Sequence, residues 1–522
     1  MTNDHHEVTR AAGVIGAFTL ISRMLGFVRD MVIAWFFGAG ILSDAFFVAF
    51  RLPNLFRRLF GEGSLTVAFI PVFSGYLSGY GRQEAFALAR SAVRVLSVLL
   101  AIVTVLGIIA APFIVRVMAP GFDSDGFQLT VLLTRIMFPY VFFICLVALS
   151  MGILNVLGHF AAPAMAPVLL NLSMIASVFF ISPHLSEPTV GLAVGVVIGG
   201  VLQLMLQVPY LMKHGFFFWQ KTAFYHPGLK KIGRLMIPSV FGAAVYQINI
   251  LVGTLLASLL AEGSVSYLYY ADRLVQFPLG IFAISLSVAV LPALSRQAAS
   301  RDIDGVRKTF AYAVSLIFFI TLPAMTGLIV LRHPIVSLLF ERGAFDAVNS
   351  ARTADALLYF SMGLWAFSGV RIVVSTFFAF EDTRTPVKIG VVSVLANIIF
   401  SLILMGPLAH GGLALAASIA SMINFLLLAA ALKIKLGALG GKKIIESVAR
   451  SVLCSLVMGG CLLALTGFYH PADPAARAGQ MGIVAGAVLL GVGVYITTAW
   501  FLKCRELEDI MNLFRKKGPF LP

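Results

Sequence analysis

The sequence contains few charged residues for its length. Only 12% of its 522 residues are Asp, Glu, Lys or Arg, whereas soluble globular chains average about 25%. Hydrophobic residues make up 60% of the chain, and its mean hydropathy is +0.97. A chain with so little charge cannot cover a large water-facing surface, and a single soluble core rarely reaches this length. We therefore predict an all-α integral membrane protein whose outer surface is solvated mainly by lipid.

Motifs that define several enzyme classes are also missing. The sequence has no G-x-x-x-x-G-K-[ST] phosphate loop, no H-E-x-x-H zinc motif and no G-x-S-x-G nucleophile elbow. Its four cysteines form no C-x-x-C pair, so they indicate neither a disulfide framework nor a zinc site. We therefore predict that the protein is not an enzyme, has no catalytic residue, and binds no metal and no cofactor.

Fourteen apolar runs are long enough to cross a membrane, since a helical span needs about 20 residues. Two of them, 44–79 and 264–297, exceed this length, and each contains prolines at which a helix can bend. We predict one transmembrane helix for each run. The runs are 12–38, 44–79, 86–117, 128–156, 162–182, 189–212, 229–260, 264–297, 307–331, 353–380, 385–407, 411–434, 445–468 and 479–502.

The basic residues are distributed unevenly between the loops. Most loop Lys and Arg residues follow even-numbered runs, whereas the loops after odd-numbered runs are comparatively acidic. Because positive charge is retained on the cytoplasmic side, this pattern predicts an even number of spans with both termini in the cytoplasm. The net charge of +15 could also suggest a nucleic-acid partner. We predict none, because the charges lie where membrane topology places them.

The sequence also repeats itself at an offset close to 222 residues. The segment from Ser43 to Leu52 resembles the segment from Ser266 to Leu274, and Gly121 is matched by Gly343. Each repeat contains six runs, an even number, so the two repeats have the same orientation. Parallel repeats of this kind are typical of transporters. We predict two parallel six-helix lobes, residues 1–218 and 219–440, and two extra C-terminal helices within 441–522.

Charged residues interrupt three of the apolar runs. On insertion scales a charge at the membrane centre costs about 3 kcal/mol, so such residues usually have a partner or a function. Arg23 lies about 15 Å from the start of the first run at 1.5 Å per residue, which makes snorkelling to the surface difficult. The charged residues are Arg23, Arg29 and Asp30 in run 1, Asp44, Arg51, Arg57, Arg58 and Glu62 in run 2, and Asp272 and Arg273 in run 8; the neutral polar residues Ser22 and Gln276 lie near them.

The interrupting charges are mostly arginines. Arg51 and Arg273 occupy equivalent positions of the two repeats, so we expect them to face each other across a central cavity. Arginine forks bind phosphate and carboxylate oxygens, which predicts a large anionic ligand such as a diphosphate head group. Two alternatives remain. Arg29 and Asp30 could serve only to hold helices together, and the Arg57-Arg58 pair could simply be solvated.

Four segments of the sequence form long and specific motifs: SRMLGFVRD at 22–30, SDAFFVAFRLPNLFRRLFGEGS at 43–64, YYADRL at 269–274 and EDTRTPVK at 381–388. They resemble motifs of the MurJ (MviN) lipid II flippases, members of the multidrug/oligosaccharidyl-lipid/polysaccharide exporter superfamily. The resemblance covers essentially the whole chain. It implies a transporter that moves undecaprenyl-diphosphate-linked disaccharide pentapeptide to the outer leaflet of the bacterial inner membrane for peptidoglycan synthesis.

The resemblance also implies roles for individual residues. Gln276 stands where many relatives have an acid, which puts an ion pair at that position in doubt. The last two spans are expected to form a groove for the lipid tail. The predicted substrate-binding residues are Ser22, Arg23, Arg29, Arg57, Ser266 and Arg273, and the predicted gate or ion-pair residues are Asp30, Asp44, Arg51, Glu62 and Asp272.

We therefore predict a flippase for lipid II that works by alternating access, with the diphosphate group held in the cationic cavity. Lipid II and membrane lipid are the expected partners, and cell-wall synthesis proteins are candidate partners. One alternative is a transporter of another polyprenyl-diphosphate-linked glycan or of drugs. Another is a membrane transferase that acts on polyprenyl phosphates, although the short loops leave little room for a donor site.

Overall fold

The computed structural model describes residues 2–58, 65–466 and 477–515, and these residues form nineteen α-helices. Apolar runs become helices because a helix satisfies its backbone hydrogen bonds within the segment, as a lipid environment requires. The helices are α1 (Thr2–Phe37), α2 (Ile41–Phe56), α3 (Leu65–Gly79), α4 (Gly81–Met118), α5 (Ser124–Met137), α6 (Pro139–Val156), α7 (Ala161–Phe180), α8 (Pro188–Lys213), α9 (Pro227–Ser258), α10 (Ser264–Pro278), α11 (Ile284–Ala299), α12 (Ile303–Val330), α13 (Arg332–Phe340), α14 (Ala347–Met362), α15 (Leu364–Ala379), α16 (Arg384–Leu436), α17 (Gly441–Thr466), α18 (Arg477–Phe501) and α19 (Arg505–Arg515).

Many of these helices are long and apolar enough to cross a membrane. Within the described residues nine helical segments meet that condition, and the pair α14 and α15, bent by 41°, makes ten. The prediction of a helical, multi-pass membrane protein is therefore confirmed. Among the described residues, α1, α2, α3 and α9, which overlap the predicted runs 12–38, 44–79 and 229–260, do not meet that condition, and the runs 385–407 and 411–434 share the single helix α16.

One face of α4 shows how lipid replaces water around the helices. Val98, Ile102, Val105, Ile109 and Phe113 follow each other at steps of three or four residues, and all five are exposed. Residues at this spacing share one side of a helix. A continuous apolar stripe of this length would be costly in water, so it indicates contact with acyl chains.

Two long helical segments are interrupted in ways that the sequence suggests. A π-helical turn, Leu279–Ala283, follows Pro278 and separates α10 from α11, as expected where a proline removes a helix hydrogen bond. Within α16 the chain breaks at Ala409, whose φ of 47° and ψ of −130° are not helical, two residues after Pro407. This break separates the two predicted runs 385–407 and 411–434.

The chain divides into two compact units. Unit 1 contains residues 1–266 together with 342–345, and unit 2 contains 267–341 and 346–522. The core of unit 1 includes a row of rings in which Phe69 stacks on Phe73 at 5.3 Å and Phe73 stacks on Phe86 at 6.4 Å. In unit 2, α17 and α18 pack on α12, where the Tyr495 hydroxyl donates to the Phe319 carbonyl at 2.7 Å.

Candidate functional site

Arg29 and Asp30 form a buried ion pair on α1. Arg29 Nε and Nη2 donate to Asp30 Oδ1 at 3.0 and 2.6 Å, and Arg29 Nη1 donates to Asn171 Oδ1 on α7 at 3.1 Å. Arg29 is only 6% exposed and Asp30 only 1%. A buried pair recovers its desolvation cost only when additional hydrogen bonds complete it. Asn171 supplies such a bond, so the guanidinium is held by two helices.

Asn171 is a site residue that the sequence reasoning missed. Its Nδ2 donates to the Ser22 carbonyl at 3.1 Å, and a Cβ on Gly26 would lie 3.6 Å from the same Nδ2. Asn171 therefore bonds α1 at Ser22 and at Arg29, and it lies near Gly26 on the turn between them. The signal that could have identified it is a lone amide within the apolar run 162–182, since polar side chains in membrane helices usually bond a neighbouring helix.

Ser22 and Arg23 line a cleft in unit 1 of about 310 Å³, together with residues of α6 and α7 that include Asn155 and Pro163. Arg23 is exposed, whereas Arg29 is buried. This difference agrees with their separation of six residues, which places them on different faces of α1. Arg23 therefore presents its guanidinium to an open cleft, whereas Arg29 is already engaged by protein groups.

Asp44, near the start of α2, caps the beginning of α10. Its Oδ2 accepts from Gly263 N at 2.8 Å, and its Oδ1 accepts from Ser266 N at 2.8 Å and from Ser266 Oγ at 2.5 Å. The first N–H groups of a helix lack partners within the helix, and a carboxylate there also gains from the helix dipole. Asp44, which is 2% exposed, thus stabilises a helix that begins more than 200 residues later.

Glu262 caps α2 in return. Its Oε1 accepts from Ile41 N at 2.7 Å, and a Cβ on Gly40 would lie 3.1 Å from that oxygen. We call Ile41, Asp44, Glu262, Gly263 and Ser266 the capped-turn cluster. Because α2 and α10 are equivalent helices of the two sequence repeats, the cluster joins the starts of equivalent helices by reciprocal hydrogen bonds.

Glycines of unit 1 allow two loops to approach helix ends closely. The Ala344 N–H donates to the Trp35 carbonyl, near the end of α1, at 2.9 Å. Gly343 has a φ of +56°, and any Cβ there would clash with the Trp35 carbonyl. A Cβ on Gly121, its partner in the sequence repeat, would clash with the Ser258 carbonyl at the end of α9. Each of these glycines therefore packs against the first helix of the other repeat.

Replacing Gly343 by Ala is expected to destabilise the protein by roughly 1–3 kcal/mol, because the position combines a left-handed backbone with a close carbonyl contact. The measurement is thermal unfolding of the purified protein in detergent. Gly75→Ala is the matched control, since Gly75 lies within α3 and an added Cβ meets nothing within 4 Å. If the two variants unfold at the same temperature as the unmodified protein, the close approach at Gly343 contributes nothing to stability.

The run-8 residues lie in unit 2. Arg273 Nη2 donates to the Tyr269 hydroxyl at 2.9 Å, and its guanidinium carbon lies 5.1 Å from the centre of the same ring. Gln276 Nε2 donates to Asp272 Oδ1 at 3.4 Å. Tyr269 therefore orients Arg273, and Gln276 contacts Asp272 as a neutral hydrogen-bond donor.

The remaining described candidates lie in α2 or directly after it. Arg57 Nε donates to Asn54 Oδ1 at 3.1 Å, and both Arg57 and Arg58 lie in a π-helical turn with partly exposed side chains. Arg51 is also partly buried. The predicted gate residue Glu62 lies outside the described residues. The structure thus places Asp44 beside Ser266 and Arg29 beside Asp30, whereas the hydrogen bonds from Arg57 to Asn54 and from Arg273 to Tyr269 each lie within one helix or turn.

The segment EDTRTPVK contains the short turn between α15 and α16 and the first residues of α16. Asp382 accepts from the Thr385 N–H at 3.1 Å and from the Lys435 ammonium at 3.0 Å. Lys435 also lies 5.3 Å from the centre of the Phe380 ring. The Thr385 N–H, followed by Lys435, lowers the pKa of Asp382 from its usual 3.8 to about 2. The turn therefore joins the beginning of α16 to its end.

Asp382→Asn is expected to lower the unfolding temperature at neutral pH. Because the folded-state pKa is depressed, the carboxylate stabilises the fold fully above pH 3.8, and this contribution is lost as pH falls towards 2. The difference between the unmodified protein and the variant should therefore shrink below about pH 4. Lys433→Gln, an exposed basic residue two positions from Lys435, serves as the control. A difference that persists unchanged at pH 2.5 would contradict the assignment.

Comparison with known proteins gives consistent matches over nearly the whole chain. A family model described as Lipid II flippase MurJ matches residues 33–473. The probable lipid II flippase MurJ of Vibrio cholerae serotype O1 is 39% identical over 512 residues, which cover 95% of this chain and 96% of the relative.

Solved structures agree with these sequence matches. A structure described as lipid II flippase MurJ in an inward closed conformation has a TM-score of 0.79 and is 27% identical in sequence. The match covers 94% of this chain and 98% of the solved chain. An inward-facing multidrug transporter of the MATE family, in the MOP superfamily, has a TM-score of 0.69 and covers 82% of this chain and 99% of its own. At 17% identity that second likeness concerns the fold alone.

Proposed function

Because the chain belongs to the lipid II flippase MurJ family, as its four motifs predicted, we propose that it moves lipid II across the bacterial inner membrane by alternating access. The family is one of transporters, and its members are named for this cargo. The observation that carries the proposal for this chain is the set of arginines within apolar helices, above all the Arg29 pair with Asp30. Such charges are costly in a membrane and indicate a pathway for an ionic group.

The diphosphate of lipid II is the group that these arginines would bind. Arg23 is exposed to a cleft beside Ser22, which supports a role in first contact with the head group. Arg29 is paired with Asp30 and Asn171, so it would bind phosphate by exchanging these partners. Arginine forks match phosphate oxygens, and a low-dielectric wall strengthens the attraction. The full proposed substrate set is Ser22, Arg23, Arg29, Arg57, Ser266 and Arg273.

The capped-turn cluster is proposed to act as a gate. With both termini in the cytoplasm, as loop charges predict, the turns at 38–41 and 259–263 lie on the outer side. Asp44 and Glu262 hold these turns together by hydrogen bonds that would have to break before substrate leaves outward. Asp30, Arg51, Glu62 and Asp272 are proposed as further gate or ion-pair residues that exchange partners during the cycle.

The proposed architecture follows the sequence repeat. It consists of fourteen spans, with a lobe formed by 1–218, a second lobe formed by 219–440, and spans 13 and 14 within 441–522 beside the lipid tail. The exposed apolar side chains of α17 and α18, such as Leu456 and Leu489, support contact with acyl chains. Since the sequence has no phosphate loop, the energy would come from the membrane potential or an ion gradient. A unit charge moved through 100 mV contributes about 2.3 kcal/mol.

The experiment that tests this function uses the purified full chain in lipid vesicles that contain fluorescent lipid II. A membrane-impermeant quencher should reach lipid II from the inner leaflet faster than in protein-free vesicles, whereas a fluorescent phosphatidylcholine should not be accelerated. Arg273→Ala should slow the movement at least about tenfold, as expected for the loss of one strong charge-assisted contact of 1.5–3 kcal/mol. Arg296→Ala, an exposed arginine of α11, is the matched control.

The outcomes separate the alternatives. If another polyprenyl-diphosphate glycan is moved and lipid II is not, the protein is a sibling transporter with a different cargo. If lipid II is chemically altered in the vesicles, the protein is a transferase. Equal movement by the Arg273→Ala variant would remove that arginine from the substrate path.

A further inference from the structure

A second group of basic residues surrounds a cleft of about 470 Å³ in unit 1, at the beginning of α4 and the end of α8. None of these residues belongs to the proposed substrate or gate set. The cleft is lined by Arg82, Phe86 and Arg90 from α4, by Lys213 at the end of α8, and by His214 and Gln220 from the connection between α8 and α9. It therefore differs from the Arg23 cleft in helices and in residues.

The positive charge in this cleft is not compensated by protein carboxylates. Within the described part of the chain, Arg82, Arg90 and Lys213 have no acidic partner within ion-pair distance. Glu84, an acid of the same helix turn, is taken by His226, whose Nε2 lies 3.0 Å from its Oε1. Three cations that share one cleft repel each other unless an anion lies between them.

Some N–H groups of Arg82 and Arg90 bond the walls of the cleft, and the others, together with the Lys213 ammonium, are available to a ligand. Arg90 Nε binds Thr222 Oγ1 at 2.7 Å and its Nη1 binds Gln220 Oε1 at 2.6 Å, so Nη2 makes no hydrogen bond to a described residue. Arg82 uses one Nη for the His214 carbonyl and stacks over Phe86 at 5.2 Å. The Lys213 ammonium lies 5.6 Å from the centre of the Tyr210 ring and has no hydrogen bond to a described residue.

Hydrogen bonds fix the backbone of the connection between α8 and α9 that forms one wall of the cleft. Gly215, with a φ of +77°, ends α8, and the Phe216 N–H returns to the Leu211 carbonyl at 2.9 Å, which is a Schellman ending. Arg94 Nη2 donates to the Gln220 carbonyl at 2.7 Å, and Ser91 Oγ donates to the Ala223 carbonyl at 2.6 Å. These bonds fix the connection against α4. The backbone positions of Arg82, Arg90 and Lys213 around the cleft are therefore well defined.

We propose that this cleft binds a phosphate group, supplied by the head group of an anionic phospholipid of the cytoplasmic leaflet. Arg82 and Arg90 would donate to phosphate oxygens from their remaining N–H groups, and Lys213 would add a third positive charge. Large aromatic residues beside the lining positions favour a lipid over a soluble anion. Tyr80 and Trp219 are 73% and 65% exposed, as is typical of residues at the head-group level of a membrane.

The test measures binding and not transport, so its result does not depend on the proposed flippase function. Dihexanoyl-phosphatidylglycerol, dihexanoyl-phosphatidylcholine and inorganic phosphate are titrated separately into the purified full chain in neutral detergent, and binding is followed by the shift in unfolding temperature. Lys213→Gln is the main variant, because Lys213 makes no hydrogen bond that supports the fold. Lys221→Gln removes the same charge from an exposed position of the same connection and is the control.

Phosphatidylglycerol is expected to bind and to stabilise the protein, and Lys213→Gln should weaken this binding about fivefold, as expected for one basic residue at an anionic surface. Lys221→Gln should leave it unchanged. Equal stabilisation by phosphatidylcholine, or equal loss in both variants, would overturn the proposal and leave a diffuse basic surface. Stabilisation by inorganic phosphate that equals that of phosphatidylglycerol and is weakened by Lys213→Gln would support the phosphate site but overturn the lipid as its source.

Discussion

Arg29→Ala is expected to abolish the ability of this protein to support growth of cells depleted of their own lipid II flippase. The substitution removes the hydrogen bonds of 3.0 and 2.6 Å to Asp30 and the bond to Asn171. Removal of one member of a buried ion pair typically costs about 3–5 kcal/mol, because the remaining charge stays in a low-dielectric environment. We therefore expect reduced protein in the membrane as well as lost function.

A double variant separates the two effects. Replacing both Arg29 and Asp30 by Ala removes the uncompensated charge, so the protein level should recover. Function should stay lost if Arg29 also binds the diphosphate. Arg29→Lys keeps the charge but not the fork and should retain only part of the activity. Restored growth in the double variant would show that the pair only holds α1 and α7 together, which is the alternative left open by the sequence.

Asp44→Ala is also expected to have a large effect on stability and function. The aspartate accepts three hydrogen bonds at the start of α10 and is almost fully buried. Hydrogen bonds to a charged group contribute about 1.5–3 kcal/mol each, so their loss should lower the unfolding temperature and weaken the proposed gate. Thermal unfolding of the purified variant in detergent measures the first effect. Growth of flippase-depleted cells that express the variant at the level of the unmodified protein measures the second.

Glu262→Ala provides the comparison for Asp44. Glu262 makes one hydrogen bond, to Ile41 N at 2.7 Å, at a more exposed position. Its removal should cost about 0.5–2 kcal/mol, the usual range for the loss of a helix cap. Asp44→Asn should be intermediate, because its amide oxygen can still accept from Ser266 while its NH₂ group faces the Gly263 N–H. A larger effect at Glu262 than at Asp44 would contradict the importance assigned to Asp44.

The membrane character and the helical segments could be predicted from the sequence because both depend on local properties. Apolar runs of about 20 residues have no stable alternative to the helix in lipid. Low charge content predicted a membrane protein and the repeat near 222 residues predicted a transporter, whereas the family was identified from the resemblance of the four motifs. The candidate residues Arg29 and Asp44 were also recognisable, because a charge within an apolar run is conspicuous wherever its partners lie.

Only the tertiary structure decided which groups meet. Nothing in the local sequence of Asp44 indicates that it caps a helix beginning at Ser264, and nothing near Arg29 indicates Asn171, which lies 142 residues away. The basic cleft beside α4 likewise exists only because the connection from 213 to 223 folds along that helix. The physical reason is that a charge within an apolar run can be recognised from its neighbours in sequence, whereas its burial and its partners depend on the packed helices. Hydrogen-bond geometry depends on distances of about 3 Å between elements far apart in the chain, and helix packing alone sets those distances.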